Sequence, residues 1–535
     1  MIDVLIIGSG GAGLSAALEA KKKNSNVLVV SKTYPTHSQT CQAQGGINAV
    51  LETTKDDSVE NYINDTYKAS HNLANKNNIK YLCNESKNTI DWLSSIGVPF
   101  SKDLKNNIAQ RKFGGTKAKR TCYSSDYTGL KILHTLYDQC IKEEIKFLNE
   151  YFLLKLVVEE NCAKAALFLN MVSGEIVEIE AKTIILATGG YAGIYHQSTT
   201  NSYSSTGDGI AAALNAGALL SNMEFVQFHP TSLESKNILV SESARGEGGY
   251  LVDKDGNRFI DELKPRDEVA RAIFKKTHKH EKVYLDLRHL GKEKIEEVMP
   301  QERRLILDFM KLKMEEDLIP INPSAHYTMG GILTDSETKT SIKNLYACGE
   351  CAQSGIHGAN RLGGNSLLEI ITLGRLSGKV AAKRAKELKY NYQSNKKDQD
   401  KEIKRLEEIL KRENKKDLYK TKKELGKLLF NNLGLFREEK RIKKVLDYLE
   451  HIKNEITQIG IEDKNKVYNR NLIDYLEYEN MYLLSKTIAK GAYERKESRG
   501  AHYRTDFEIE NNTYEKISIC KLENNNLEFY FEDLK

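Results

Sequence analysis

Five short stretches between residues 224 and 367 hold the side chains best suited to chemistry. They are Glu224–Thr231, Glu242–Gly249, Pro265–Asp267, Ala325–Gly331 and His357–Leu367. Between them they carry His229, Thr231, Glu242, Arg245, Glu247, Arg266, His326 and Arg361. Arginine stays charged and grips a carboxylate with paired hydrogen bonds, and histidine adds a directional donor. Three arginines with histidines and a threonine, several in glycine-flanked loops, suit a small dianion. Each residue alone is more often structural than functional, so the set gains meaning only beside a cofactor frame.

That frame opens the chain. Asp3-Val4-Leu5-Ile6-Ile7 is an apolar run entering Gly8-Ser9-Gly10-Gly11-Ala12-Gly13. An Ala/Leu-rich helix and a second apolar run, Val27–Val30, follow. Strand, glycine turn, helix and strand make a dinucleotide-binding unit. Gly8, Gly10, Gly11 and Gly13 let the backbone approach a pyrophosphate, and the helix N-terminus faces it. The second strand ends at Ser31-Lys32 and not at the acidic residue expected for a ribose contact, which disfavours NAD. Thr36–Gly46 comes next, where a flavin ring would lie if the dinucleotide were FAD; it includes Ser38, Thr40, Gln44, Gly45 and Gly46. A β-rich section around 151–187 ends in Ala187-Thr188-Gly189-Gly190, a second turn of close backbone approach. Thr206-Gly207-Asp208-Gly209 then opens an Ala-rich helix.

Residues 223–331 read as an insertion of short strands and polar loops. Asn344–Glu350 returns as the last strand of the nucleotide unit, and 366–388, led by Ser366 and Leu367, as its closing helix. Ile79–Ile96 reads as one amphipathic helix with Trp92, the only tryptophan, in the core. From about 396 to 495, apolar positions such as Leu406, Ile409 and Leu410 recur at helical spacing, and the last 30 residues suggest short strands. No internal repeat is visible.

A length of 535 residues calls for two or three domains. The balance of 40% hydrophobic and 29% charged residues excludes a disordered chain. A formal charge of +6 is too small at this size to argue for nucleic acid, and the lysine-rich segments read as solvated helix faces. Eight unpaired-looking cysteines fit a reducing compartment. The first strand begins at residue 3, leaving no room for a signal peptide, and no uncharged run reaches the roughly 20 residues of a membrane span. Cys348-Gly349-Glu350-Cys351 has no second CxxC and no following histidine, so it is read as strand-end filling and not as a metal or haem site.

The chain resembles the flavoprotein subunit of the succinate dehydrogenase/fumarate reductase family. The matching motifs are the Gly8–Gly13 turn, Ala43-Gln44-Gly45-Gly46, Phe113-Gly114-Gly115, Ala187–Gly190, Gln227–Thr231, Arg245–Gly249, Ala325–Gly331, His357–Gly363 and Arg495–His502, in family order from residue 4 to about 507. The last 28 residues match poorly, and the insertion is short before Arg266. The resemblance implies an α/β fold. A Rossmann-like FAD-binding domain (1–222 and 332–390) is interrupted by an α+β capping domain (223–331). A helical domain (391–500) and a short tail (501–535) follow.

It further implies that FAD is held by the glycines above with Ser31, Lys32, Ser38, Thr40, Gln44, Ala187, Thr188, Asp208, Glu350, Ser366 and Leu367. His229, Thr231, Glu247, His326, Arg361 and Phe113 would meet a dicarboxylate. Arg266, opposite the flavin N5, would protonate one carbon of fumarate while the other receives hydride, with Glu242 and Arg245 returning protons. An arginine, with a pKa above about 12, is an unusual acid. The carbanion left by hydride addition is basic enough to take its proton. The implied partners are an iron–sulfur subunit and, beyond it, a membrane anchor and quinone, which would put this chain peripherally on the inner face of the cell membrane.

The nearest alternative is L-aspartate oxidase, which carries an acidic residue at position 113 for the substrate ammonium; this chain has apolar Phe113, and Gly363-Gly364 in place of the oxidases' Ala-Ser. A catalytically dead flavoprotein is disfavoured by the intact histidine and arginine set. The family's flavin-tethering histidine falls at Gln39, with His37 two residues earlier. On a strand that shift would move the side chain roughly 6–7 Å along one face, out of reach of the flavin 8-methyl group. FAD is therefore expected to be non-covalent, with a lowered potential that favours fumarate reduction. His37 is left as a phosphate-side cation or a polar loop residue.

Overall fold

The computed structural model describes residues 1–535 except Lys55, Tyr390, Asn391, Gln393, Asn395, Asn525 and Lys535. The boundary expected at 390/391 therefore falls outside the described residues.

Strand Ile2–Ile7 is the centre of the nucleotide unit. It runs parallel to Val27–Ser31 on one side and to the end of Ile176–Leu186 on the other. Its alternation serves two cores, as a strand buried on both faces must. Leu5 and Ile7 enter one cluster with Phe168 and Leu186, while Val4 and Ile6 enter the other with Ala16 and Ile371. Lys146–Asn149 extends the sheet beyond Val27–Ser31, and Leu345–Ala347 pairs with Ile184–Leu186 as the returning strand. The first half of Ile176–Leu186 instead pairs antiparallel with Cys162–Asn170, which pairs with Tyr151–Glu159. Helix Gly11–Lys22 packs on Asn365–Glu387, where Gly374 and Gly378 let the two backbones meet.

The inserted segment has its own sheet, in the order Val226–Leu233, Ile319–Thr328, Val283–Asp286, Tyr250–Asp253. Helix Arg266–Thr277 covers it, around a separate cluster of Leu251, Val269, Ile273, Leu285 and Ile319. Helices Lys397–Lys411, Leu418–Leu433, Glu439–Glu455 and Arg470–Glu494 follow. The last strands, Lys516–Glu523 and Asn526–Asp533, do not trail from the molecule. They form a hairpin that pairs with Leu220–Ser221 at the foot of the inserted segment.

Two sequence expectations change. Ile79–Ile96 is not one helix but two, Lys76–Asn84 and Ser86–Ser95. At the break the Ser86 hydroxyl donates to the Cys83 carbonyl and accepts the Val50 amide, a local competition typical of serine. Trp92 lies at the edge of the core and not within it, half-buried beneath the Arg375 guanidinium. The stretch from Thr36 is also no strand: Pro35–His37 and Gln39–Gln42 are two 3-10 turns, the first led by a proline whose φ suits a helical start. Among the described residues no helix is long and apolar enough to cross a membrane.

Candidate active site

A long cavity runs from the first glycine turn to the inserted segment. Gly8, Gly10 and Gly11 line its start, with Ser31 and Lys32 at the end of the second strand. Gly8 has φ +112°, and a Cβ there would lie 2.2 Å from the Ala187 carbonyl oxygen, so the two turns close on each other only through glycine. Gly13 lies behind the wall, where a Cβ would strike the Gly8 carbonyl. The Gly11 amide donates to Thr40 Oγ1 (3.0 Å), and Ser9 Oγ donates to Ser31 Oγ (2.7 Å).

Lys32 occupies the place of the absent acidic residue. Its Nζ donates to Asp208 (2.5 Å), Glu477 (3.1 Å) and the Ser204 carbonyl (2.7 Å). Burial opposes its charge, yet Asp208 and Glu477 hold its pKa above the ordinary value. Ser38, Thr40, Gln44, Gly45, Gly46, Ala187, Thr188, Gly189, Gly190, Asp208, Glu350, Ser366 and Leu367 all line the same cavity. Ser38 Oγ, Gln44 Oε1 and Thr188 Oγ1 are buried there without a protein partner. A wall of glycines and unpartnered polar atoms fits a polar dinucleotide such as FAD. Glu350 accepts the Thr328 amide (2.9 Å), and burial lifts its carboxyl to about 7. Cys348 and Cys351 are free and buried, and burial raises both thiols, Cys351 to about 11.

At the far end the cavity reaches His229, Glu242, Arg266, His326, Arg361 and Phe113. The two imidazoles meet edge to face, centroids 4.9 Å apart. Burial and neighbouring cations push both well below the ordinary histidine range, so both are neutral near pH 7. Thr231 holds the His229 ring through Nδ1, which lies 3.2 Å from its amide nitrogen and 3.0 Å from its carbonyl oxygen. Thr231 itself is not in the wall; its hydroxyl donates to the Val240 carbonyl (2.7 Å). His326 Nδ1 lies 2.8 Å from Thr200 Oγ1. Arg361 is buried over the Tyr327 ring at 4.1 Å. Its Nε lacks a partner, and burial beside Arg266 brings its pKa down to about 10.

Arg266 begins the helix Arg266–Thr277, with Pro265 before it. Its Nε donates to Glu242 Oε2 (2.7 Å) and its Nη1 to Gln227 Oε1 (3.2 Å). Glu242 Oε1 accepts the Gly114 amide (2.9 Å), and Arg245 Nη2 stands 3.9 Å from that same oxygen. Burial alone would raise the Glu242 carboxyl, but Arg266 and Arg245 outweigh it and keep it below the ordinary value. Arg245 is fully buried, outside the cavity wall, with Nη1 donating to the Glu262 carbonyl (2.6 Å) and Nε unpartnered. Arg266, Glu242 and Arg245 thus form a buried line of alternating charge leading away from the cavity. Glu247 is also outside the wall, half-buried, and its charge acts on Arg111 and Tyr123.

Comparison with known proteins gives this geometry its family. The pattern described as FAD binding domain matches residues 3–367, and that described as fumarate reductase flavoprotein C-term matches 422–535. The chain belongs to the fumarate reductase/succinate dehydrogenase flavoprotein family. The C-terminal match runs to the last residue, including the stretch whose motifs fit poorly. The chain is similar to the fumarate reductase flavoprotein subunit of Haemophilus influenzae, 36% identical over 537 residues, covering 95% of this chain and 89% of that one. It is also similar to the succinate dehydrogenase flavoprotein subunit of Coxiella burnetii, 38% identical over 539 residues, covering 94% and 92%. A solved quinol–fumarate reductase with menaquinol molecules superposes with a TM-score of 0.95 at 34% identity, covering 100% and 98%. As a member of this family the chain is an FAD-dependent oxidoreductase.

Several residues of this flavoprotein site carried no role in the sequence. Gln227 Nε2 donates to Asn360 Oδ1 (2.7 Å) and to the Arg361 carbonyl (2.8 Å), while Asn360 Nδ2 donates to Asp267 Oδ1 (3.0 Å). The loop bearing Arg361 is therefore laced to the helix bearing Arg266. Glu369 accepts from Tyr327 OH (2.9 Å) and Ser354 Oγ (2.6 Å) and pairs with His357 (2.8 Å). Gln227, Tyr327, His357 and Asn360 sat inside recognised motifs; Glu369 and Thr200 had no local signal. His37 and Gln39 both line the cavity, His37 exposed beside Tyr34 and Gln39 accepting the Ser202 amide through Oε1 (3.1 Å). Because His37 and Gln39 stand on two successive 3-10 turns, strand spacing does not set how far the His37 side chain lies from Gln39.

Proposed function

We propose that this chain is the catalytic flavoprotein of a complex that interconverts fumarate and succinate. The observation that carries the reading is the Arg266–Glu242–Arg245 line, which meets a cavity walled by His229, His326 and Arg361 at one end and glycine turns at the other. FAD, when bound, supplies the hydride chemistry. His229 and His326 bind one carboxylate, and Arg361 pairs with the other. Arg266 gives its proton to the substrate carbon, and Glu242 and Arg245 restore it without admitting bulk water. The closely held Glu242 carboxylate keeps Arg266 oriented, so that proton transfer costs little reorganisation.

Phe113 supports a dicarboxylate over an amino acid, because it is 2% exposed, lines the cavity and offers an ammonium no partner. Electrons pass to an iron–sulfur partner and a quinone, in line with the naming of the relatives as subunits and of a structural neighbour as a quinol–fumarate reductase. The chain then sits at the inner face of the cell membrane through its partners. FAD is held without a covalent bond, since Gln39 stands where the family's tethering histidine is expected.

The test is a steady-state assay of the purified, flavin-loaded chain with fumarate and reduced viologen, set against aspartate with oxygen. Fumarate turnover is expected. Aspartate turnover without fumarate turnover overturns the reading.

A further inference from the structure

The chemistry above leaves one buried carboxylate unused. Glu302, in the first turn of helix Pro300–Met310, is 1% exposed. Its Oε1 accepts the amide of Ser241 at 2.7 Å. Ser241 lines the cavity and starts the helix Glu242–Gly246, capping it by accepting the Ser243 amide on Oγ (3.1 Å). The Glu302 amide in turn donates to Asp126 Oδ2 (2.8 Å), on the loop that enters helix Thr128–Lys142 of the nucleotide unit. Arg111 lies on the same seam. Its Nε donates to the Gly45 carbonyl (3.0 Å) and its Nη2 to the Ser125 carbonyl (2.9 Å). Glu302 Oε2 and Arg111 Nη1 are buried there without partners.

We propose that Glu302 is a positioning residue for fumarate reduction: by holding the Ser241 amide while docked on Asp126, it makes seating the inserted segment and aiming Glu242 at Arg266 a single event. The proposal rests on the function given above. Helix Glu242–Gly246 has five residues, too few for its own hydrogen bonds to fix its direction. Its orientation comes from outside contacts, and Ser241–Glu302 is the one that holds the backbone at its start, beside the Gly114 amide and Arg266 on the Glu242 side chain. Burial and the Asp126 charge push the Glu302 carboxyl up to about 8, against the pull of the Ser241 amide and Arg111. The carboxyl is then mainly neutral near pH 7. A neutral carboxyl keeps a carbonyl oxygen for the Ser241 amide, so an amide side chain can replace it.

The test compares the full flavin-loaded chain with E302Q and E302L, using fumarate and reduced viologen. E302Q is expected to stay within about twofold of the parent in kcat, because it preserves the acceptor. E302L should lose about tenfold in kcat, as expected when a reacting group shifts by a fraction of an ångström. Its KM should hold, since His229, His326 and Arg361 are untouched. The solvent deuterium isotope effect on kcat should rise in E302L as proton delivery slows.

S241P breaks the same bond from the donor side but also removes the capping hydroxyl, so it is compared with S241A, which loses the hydroxyl alone. Ser241 has φ −58°, which proline can adopt, so S241P should show the same kcat loss relative to S241A even if E302L folds poorly. Parent-like kcat and isotope effect in both E302L and S241P overturn the proposal, as does E302Q failing like E302L. A parent chain inactive on fumarate instead overturns the function on which the proposal rests.

Discussion

Gly114→Ala should disable turnover while leaving the fold and the flavin in place. A Cβ at Gly114 would stand 2.6 Å from Glu242 Oε1, with the carbonyl oxygens of Lys264 and Leu263 at 3.1 and 3.2 Å. Ordinary contact begins at about 3.4 Å, so the carboxylate must retreat by about 0.8 Å, and the two carbonyls block the simplest backbone adjustment. Glu242 is pinned at both oxygens, by the Gly114 amide (2.9 Å) and Arg266 Nε (2.7 Å), so any retreat stretches one bond or both. Overpacking of this kind costs about 1–3 kcal/mol in stability. A misplacement near 1 Å in a reacting assembly costs on the order of 100-fold in rate. The expected result is a flavin-loaded protein with slightly reduced thermal stability, kcat for fumarate down by about two orders of magnitude, and KM little changed. The assay is steady-state reduction with viologen, beside flavin absorbance and a thermal melt. Parent-like kcat in a correctly loaded Gly114→Ala protein would refute the view that the Glu242 position governs proton delivery.

Other outcomes follow from the same geometry. Phe113→Glu buries a carboxylate facing the substrate's own and should raise KM for fumarate by about tenfold or more; an unchanged KM would show that position 113 does not face the substrate. The parent protein should release its flavin on denaturation, whereas Gln39→His should give a gel band with flavin fluorescence; fluorescence in the parent band would sink the non-covalent proposal. The Glu302 carboxyl rises from 4.5 to about 8 on folding, so between those values the folded state keeps a proton that the unfolded chain has released. Its contribution is full below about pH 4.5 and is lost as pH rises towards 8. The stability difference between parent and E302Q should therefore shift against the parent across that window in chemical denaturation, and a pH-independent difference would place Glu302 in a less buried setting.

The nucleotide unit was legible in the sequence because its logic is local. An apolar strand, a glycine turn and a helix lie within the first 22 residues, and neighbouring glycines explain one another. Residues 36–46 misled for the opposite reason: the local pattern admits an extended chain, but Pro35 starts a 3-10 turn and Thr40 is drawn back to the Gly11 amide. The candidate site was legible as residue types but not as roles. Nothing near Thr231 reveals that its backbone holds the His229 ring at Nδ1 and its hydroxyl turns to Val240. Gln227 acts through Asn360 and Arg266, and Glu302 through Ser241 and Asp126, all distant partners that no periodicity can pair. Glu302 in particular reads as one more charged position on an amphipathic helix.

The hairpin at 516–533 sets a timetable for synthesis. Leu220 pairs with Cys520, which leaves the ribosome 300 residues later, or about 15–60 s at ordinary elongation rates. During that interval one edge of the Leu220–Ser221 strand is bare, and for its first part so is the side of Ile184–Leu186 that waits for Leu345–Ala347. The inserted segment and most of the helices emerge while the sheet at their base is still short of its last strands. Such distant pairings close slowly and late, so the nascent chain needs protection at the Ile184–Leu186 edge until residue 347 has emerged and at the Leu220–Ser221 edge until translation is nearly complete.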